Sequence, residues 1–184
     1  MNEIDPQLKK DFSEAQELTG KKKYHESIEK YELILKKYPN LITAINNIGL
    51  NYEHLGLLDK SIHYYKLCCD KAQKEKVFLN NLGNVYYKQK DYLKAITIFD
   101  QSYNINNKQE EIIEKLGYSL MEAKLNKKAE LFLRDVLKVF PNNAYLNSLM
   151  GYNLLSLNCH KEGLNFIKKG TGFIEFTNDS VNIV

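Results

Sequence analysis

Four histidines, three cysteines and a scatter of carboxylates are the residues of this chain best suited to bond-making chemistry, and their spacing argues against it. His25, His54, His63 and His160 form no His-x-x-x-His pair, and none joins a cysteine at zinc-ligand spacing. Cys68 and Cys69 are adjacent and Cys159 stands alone. An odd set containing a neighbouring pair is not a disulfide framework, so reduced thiols are expected. No glycine-rich phosphate loop is present, and Gly117-Tyr118-Ser119 does not continue into a nucleophile elbow. The carboxylates are numerous, but no two are paired as acid–base machinery. The expectation is therefore no catalytic residue, no metal, no cofactor and no enzyme activity. What remains is recognition chemistry. Asparagine clusters at Asn46-Asn47 and at Asn80-Asn81, with Asn84 close behind. A side-chain amide both donates and accepts, which suits it to the backbone of an extended peptide.

The spacing of those asparagines belongs to a longer pattern. Gly49, Gly83, Gly117 and Gly151 are each 34 residues apart, and Ala15 lies one period before Gly49. Three residues after these small anchors come Leu18, Tyr52, Tyr86, Leu120 and Leu154. Twelve after come Ser27, Ser61, Ala95, Ala129 and Gly163, all small. Sixteen after come Tyr31, Tyr65, Phe99, Leu133 and Ile167, all large. Large residues one turn apart share a helix face, and a small residue among them lets a second helix approach. Each period therefore predicts two helices of about 13 residues joined by a tight turn. Lys23-Tyr24, Gly56-Leu57 and Asp91-Tyr92 mark that turn.

Local signals place the ends. Pro39 and Pro141 should stop helices, because proline disfavours helix in the residue before it. Asn40, Asn142 and Asn143 are candidate caps for the helices that follow. Asp5-Pro6 reads as the cap and first position of the opening helix. Asp11, Glu14 and Asn147 stand where apolar residues are expected, and Gly163 and Gly170 should weaken the closing helix by ~1 kcal/mol each. Terminal repeats commonly depart from the pattern, because one face has no neighbour.

This order of small and large residues resembles the tetratricopeptide repeat, most closely in Asn46–Tyr52 and Asn80–Tyr86. The resemblance covers about residues 8 to 170, in units of about 8–41, 42–75, 76–109, 110–143 and 144–170, with residues 171–184 as a capping tail. Ile45, Leu79 and Ile113 stand where the family often has tryptophan. The resemblance implies an all-α, right-handed superhelical solenoid of antiparallel helix pairs within one domain. It also implies a concave groove, lined by the first helix of each pair, that binds a peptide or protein segment. On that reading the binding residues are Asn46, Asn47, Asn80, Asn81, Asn84, Lys115, Tyr118 and Tyr152. Asn47 and Asn81 match the asparagine ladder of family members such as O-linked N-acetylglucosamine transferase. The other reading of these amides is that they are solvated or bond within the array. Lys115 would meet an acidic group or stay solvated, and Tyr118 and Tyr152 would stack on a ligand or pack the groove. Leu149 falls on the same groove face by register. The full carboxylate clamp of chaperone-type members is absent, so that specificity is not carried over.

Composition agrees with a helical binding protein. The 184 residues are 43% hydrophobic with only 3 prolines and 9 glycines, which excludes a disordered or loop-rich chain. The net charge of +3 comes almost wholly from lysines interleaved with glutamates, so no single-sign surface for nucleic acid is expected. Lys21-Lys22-Lys23, the densest run, reads as a solvated turn. The acidic, polar first residues are unlike a signal peptide, and no run approaches the ~20 apolar residues of a membrane span, so a cytoplasmic protein is expected. The expected partner is a protein or peptide, not nucleic acid or membrane. The apolar tail from Phe173 either caps the last helix or enters a neighbour's groove to form a homo-oligomer. A secretion-type chaperone and an accessory subunit of an enzyme are the other roles the resemblance allows.

Overall fold

A computed structural model of the chain describes residues 5–172, 174–176 and 181–183, which form ten helices followed by two short strands. The chain divides into two units, one through Lys90 and one from Asp91. The first holds α1 (Pro6–Gly20), α2 (Tyr24–Lys37), α3 (Ile42–His54), α4 (Leu58–Lys71) and α5 (Lys76–Lys88). The second holds α6 (Tyr92–Ile105), α7 (Glu110–Glu122), α8 (Asn126–Val139), α9 (Ala144–Ser156) and α10 (His160–Thr171). Within each unit every helix packs on the next in sequence, and α7 also packs on α9. Short turns make successive helices antiparallel within each unit, as the 34-residue spacing predicts.

The ends of the helices follow mostly local rules. Asp5 caps α1 by accepting a bond from the Gln7 amide at 2.9 Å, with Pro6 in the first turn. The α2 and α8 helices stop at Lys37 and Val139, with Tyr38 and Phe140 as C-caps directly before the two prolines. Asn143 caps α9 by accepting from the Leu146 amide at 2.9 Å. Asn40 does not act as a cap. Leu41 holds that position without a side-chain bond, and Asn40 instead accepts from Lys71 Nζ at 2.7 Å.

A second 34-residue register runs through the turns inside each helix pair. Lys22, Gly56, Lys90, Lys124 and Asn158 have φ between 60° and 72°. In the first turn the Lys23 amide donates to Leu18 O and the Lys22 amide to Thr19 O, both at 2.9 Å. This pair of bonds is a Schellman motif, which requires a left-handed residue. The long-range bond recurs at Leu57, Leu125 and Cys159, each at 2.9 Å. Three of the five left-handed positions carry lysine, which adopts that conformation only at a cost.

The small anchors work by contact with the large residue sixteen positions on. A methyl group placed on Gly49 would lie 2.9 Å from the Tyr65 ring, and one on Gly117 would lie 3.1 Å from Leu133. On Gly151 it would lie 2.8 Å from the backbone nitrogen of Ile167. Tyr31, Tyr65, Phe99, Leu133 and Ile167 are all essentially buried. In the first unit the core gathers around Ala15, Ile28, Tyr31, Ile34 and Ile48. In the second it gathers around Ile113, Leu133, Leu146, Met150 and Leu154.

Several expected weak points are built contacts. A methyl on Gly163 would lie 3.0 Å from Gly151 O, and one on Gly170 would lie 2.6 Å from Ala144 O. Both glycines therefore let α10 settle onto α9 backbone to backbone. Asn147 is only 2% exposed, and its amide donates to Pro141 O at 2.9 Å and Asn143 O at 2.8 Å. It pins the loop that enters α9. Glu14 is held by Lys30 at 2.5 Å. Asn51, fully buried, donates to Ser27 Oγ at 2.9 Å and accepts from Thr19 Oγ1 at 3.0 Å, joining the first two helix pairs.

Past α10 the chain forms a strand pair, β1 (Ile174–Phe176) antiparallel to β2 (Val181–Ile183), with Ile174 opposite Ile183. The expectation that residues 171–184 cap the array or enter a neighbour rests on tail side chains that lie outside the described residues.

The packing makes two predictions for chemical denaturation. Gly151→Ala should lose about 3 kcal/mol, because the intruding methyl meets backbone that cannot rotate away; a variant as stable as wild type would remove the close-approach account. Lys124→Gly should gain about 1 kcal/mol by relieving the left-handed lysine, and a loss of stability there would contradict it.

Candidate functional site

The expected binding residues lie on the first helices of the pairs, and they divide between the units. In the first unit Asn46 and Asn47 sit on α3, and Asn80, Asn81 and Asn84 on α5, all half-buried. The amides bond within the array. Asn47 Nδ2 donates to the Tyr31 hydroxyl at 2.8 Å, and Asn81 Nδ2 donates to Asn46 Oδ1 at 2.8 Å. Asn46 also donates to Asn47 Oδ1, weakly, at 3.5 Å. Each amide nitrogen carries two hydrogens, so one bond does not exhaust it. These bonds order the amides along one line from Tyr31 to Asn81.

Beside that line the helices α1 and α3 leave two clefts. One, of about 280 Å³, is lined by Gln16, Thr19, Gly20, Tyr31, Asn47 and Leu50. The other, of about 380 Å³, is lined by Leu8, Phe12, Ser13, Gln16, Leu41 and Thr43 among others. Gln16 is exposed and borders both. The expected binding residues begin at Asn46 and do not include Gln16, which holds the same register position as Tyr118 and Tyr152.

Electrostatic ties hold the walls of this unit in place. Glu53 accepts from the Tyr65 hydroxyl at 3.0 Å and from Lys88 Nζ at 2.6 Å, linking α3, α4 and α5. Burial, with Glu53 beside it, pushes the Tyr65 phenol well above its usual range. Hydrogen bonds from Tyr38 and Lys37 hold the Asp5 carboxyl far below the usual carboxylate range and tie the start of α1 to the end of α2.

In the second unit Lys115 lies within 2.5 Å of Glu111 one turn away. The ring of Tyr118 stands edge-on to Tyr92, centroids 6.0 Å apart, and Tyr118 packs partly against the core. Tyr152 is 43% exposed on α9, with Tyr145, which is not among the expected binding residues, 44% exposed seven residues before it. Leu149 belongs to the core at 6% exposed, not to the groove face, because α9 is apolar on several sides. Asn143 Nδ2 donates to Glu110 Oε2 at 3.1 Å and to Glu114 Oε1 at 2.8 Å.

The thiols and charged groups elsewhere make structure. Cys68 is buried, and burial pushes its thiol up to about 12; burial likewise lifts Cys69 to about 11. Arg134 bridges Glu130 on α8 at 3.0 Å and Glu162 on α10 at 2.8 Å. Among the described residues no three His, Cys, Asp or Glu side chains converge as metal ligands.

The family model described as tetratricopeptide repeat matches residues 42–72 and 78–109. These two segments are tetratricopeptide repeats. MamA from Desulfovibrio magneticus RS-1 superposes with a TM-score of 0.81 at 12% identity, covering 92% of this chain and 96% of that one. Another MamA crystal structure gives 0.81 at 17% identity, covering 90% of each. At such identities the likeness is one of fold. The uncharacterized protein ycf37 of Pyropia yezoensis is 30% identical over 108 residues, 53% of this chain and 61% of its own length. Tetratricopeptide arrays are in general protein-interaction scaffolds, and this chain has that architecture. No described helix is long and apolar enough to cross a membrane.

The thiol chemistry is directly checkable. At pH 8 iodoacetamide should label exposed Cys159 in the folded protein fastest, half-buried Cys69 more slowly, and buried Cys68 only once denaturant is added. Labelling of Cys68 as fast as Cys159 in the native state would refute its burial.

Proposed function

We propose that this tetratricopeptide protein is an adaptor that holds an extended segment of a partner protein against the first helices of its pairs. The observation that carries the reading is the first-unit surface, where two clefts bordered by Gln16 adjoin the amide line of Asn47, Asn46 and Asn81. The apolar parts of Phe12, Leu41 and Leu50 would take side chains of the segment. The amides would meet its backbone, whose polar groups need partners once water is excluded. Rings and amides already set by bonds to Tyr31 and Asn46 lose little freedom on binding, which favours affinity.

Two variants test this. Asn47, Asn81 and Asn84 changed together to alanine remove the amides, and Gln16→Arg fills the clefts from an exposed position that supports no described core. Proteins captured from native lysate by the wild-type chain should be lost with both variants while far-UV circular dichroism is unchanged. Identical capture by wild type and Gln16→Arg would sink the groove reading.

A further inference from the structure

Charge is sorted by helix in the second unit. The α7 sequence, EEIIEKLGYSLME, carries four glutamates against one lysine, and that lysine, Lys115, lies against Glu111. The α9 sequence, AYLNSLMGYNLLS, carries no charged residue at all. The lysines of this unit sit chiefly on α8 and α10, NKKAELFLRDVLKV and HKEGLNFIKKGT. A chain with a net charge of +3 thus presents a locally negative first-helix face.

The geometry on that face is specific. Glu110 and Glu114, one turn apart, are drawn onto the single neutral amide of Asn143. Among the described residues neither carboxylate has a lysine or arginine partner. Tyr145, on the helix packed against α7, lies near Glu114: burial first, then the nearby Tyr118 and Glu114, raise its phenol above the usual range. Tyr145 and Tyr152 are seven residues apart, hence on one side of α9, and both are more than two-fifths exposed. A carboxylate pair with exposed aromatic rings on the helix packed beside it complements a guanidinium or ammonium group, which gains charge pairing from the first and cation–π contact from the second.

We infer that the α7–α9 face binds a lysine- or arginine-bearing segment of the partner protein, with Glu110 and Glu114 taking the cation and Tyr145 and Tyr152 stacking beside it. This rests on the adaptor reading and gives it a ligand chemistry. It also reverses the sign that Lys115 alone suggests, because Glu111 occupies that lysine.

The test uses the full chain and three fluorescein-labelled extended peptides of equal length. One alternates lysine and arginine with glycine and serine, one replaces the cations by glutamine, and one by glutamate. In fluorescence-anisotropy titrations at low salt the basic peptide should bind at least about tenfold more tightly than the neutral one. Glu110→Gln with Glu114→Gln keeps acceptors for Asn143 and so preserves the fold, which thermal unfolding will verify; it should bring the basic peptide to the neutral level. Tyr145→Ala with Tyr152→Ala should weaken the basic peptide by about fivefold or more. Neutral binding as tight as basic, or basic binding indifferent to the glutamine variant, overturns the inference. So does the absence of binding by every peptide. Because Gln16 and the asparagines lie in the other unit, loss of lysate capture by those variants can hold while this result fails.

Discussion

The contact between a small anchor and the large side chain sixteen residues later governs this molecule. Where Gly49 meets Tyr65, or Gly151 meets Ile167, the absence of a side chain sets how near two helices come. That distance fixes which residues of the first helix are covered and which remain on its outer face. Cores are packed densely enough that a methyl group in the wrong place is felt. The exposed first-helix face is therefore a by-product of packing: it is what the second helix does not cover.

Much of this was legible in the order of residues, because packing at a fixed separation leaves a fixed period. The anchors, the buried Tyr31, Tyr65 and Phe99, the Asp5 cap and the proline stops all follow from it. The left-handed turn register was not legible, since lysine at positions 22, 90 and 124 carries no signal for positive φ. Asn40 looks like a cap by type, but Lys71 competes for it from a neighbouring helix pair. Gly163 and Gly170 are weak points on an isolated helix and close contacts in a paired one.

The candidate site was legible in place and less so in chemistry. Spacing assigns Asn47 and Asn81 to the first-helix face, where they are half-buried, but it does not reveal that their amides already serve Tyr31 and Asn46. Partners from helices more than thirty residues apart are invisible to local pattern. The same holds in the second unit, where Lys115 reads as a free cation until Glu111 is placed beside it. Tyr145 escaped notice because it stands six positions before its anchor, away from the residues that define the repeat.

The pair α9–α10 has a consequence of its own. Here Gly151, Gly163 and Gly170 bring α10 against the backbone of α9, while Arg134 ties it to α8. Opening that helix must break the arginine bridge and a backbone-deep seam together. The pair thus behaves as a latch, and amide hydrogens there will exchange with the slow protons of the interior.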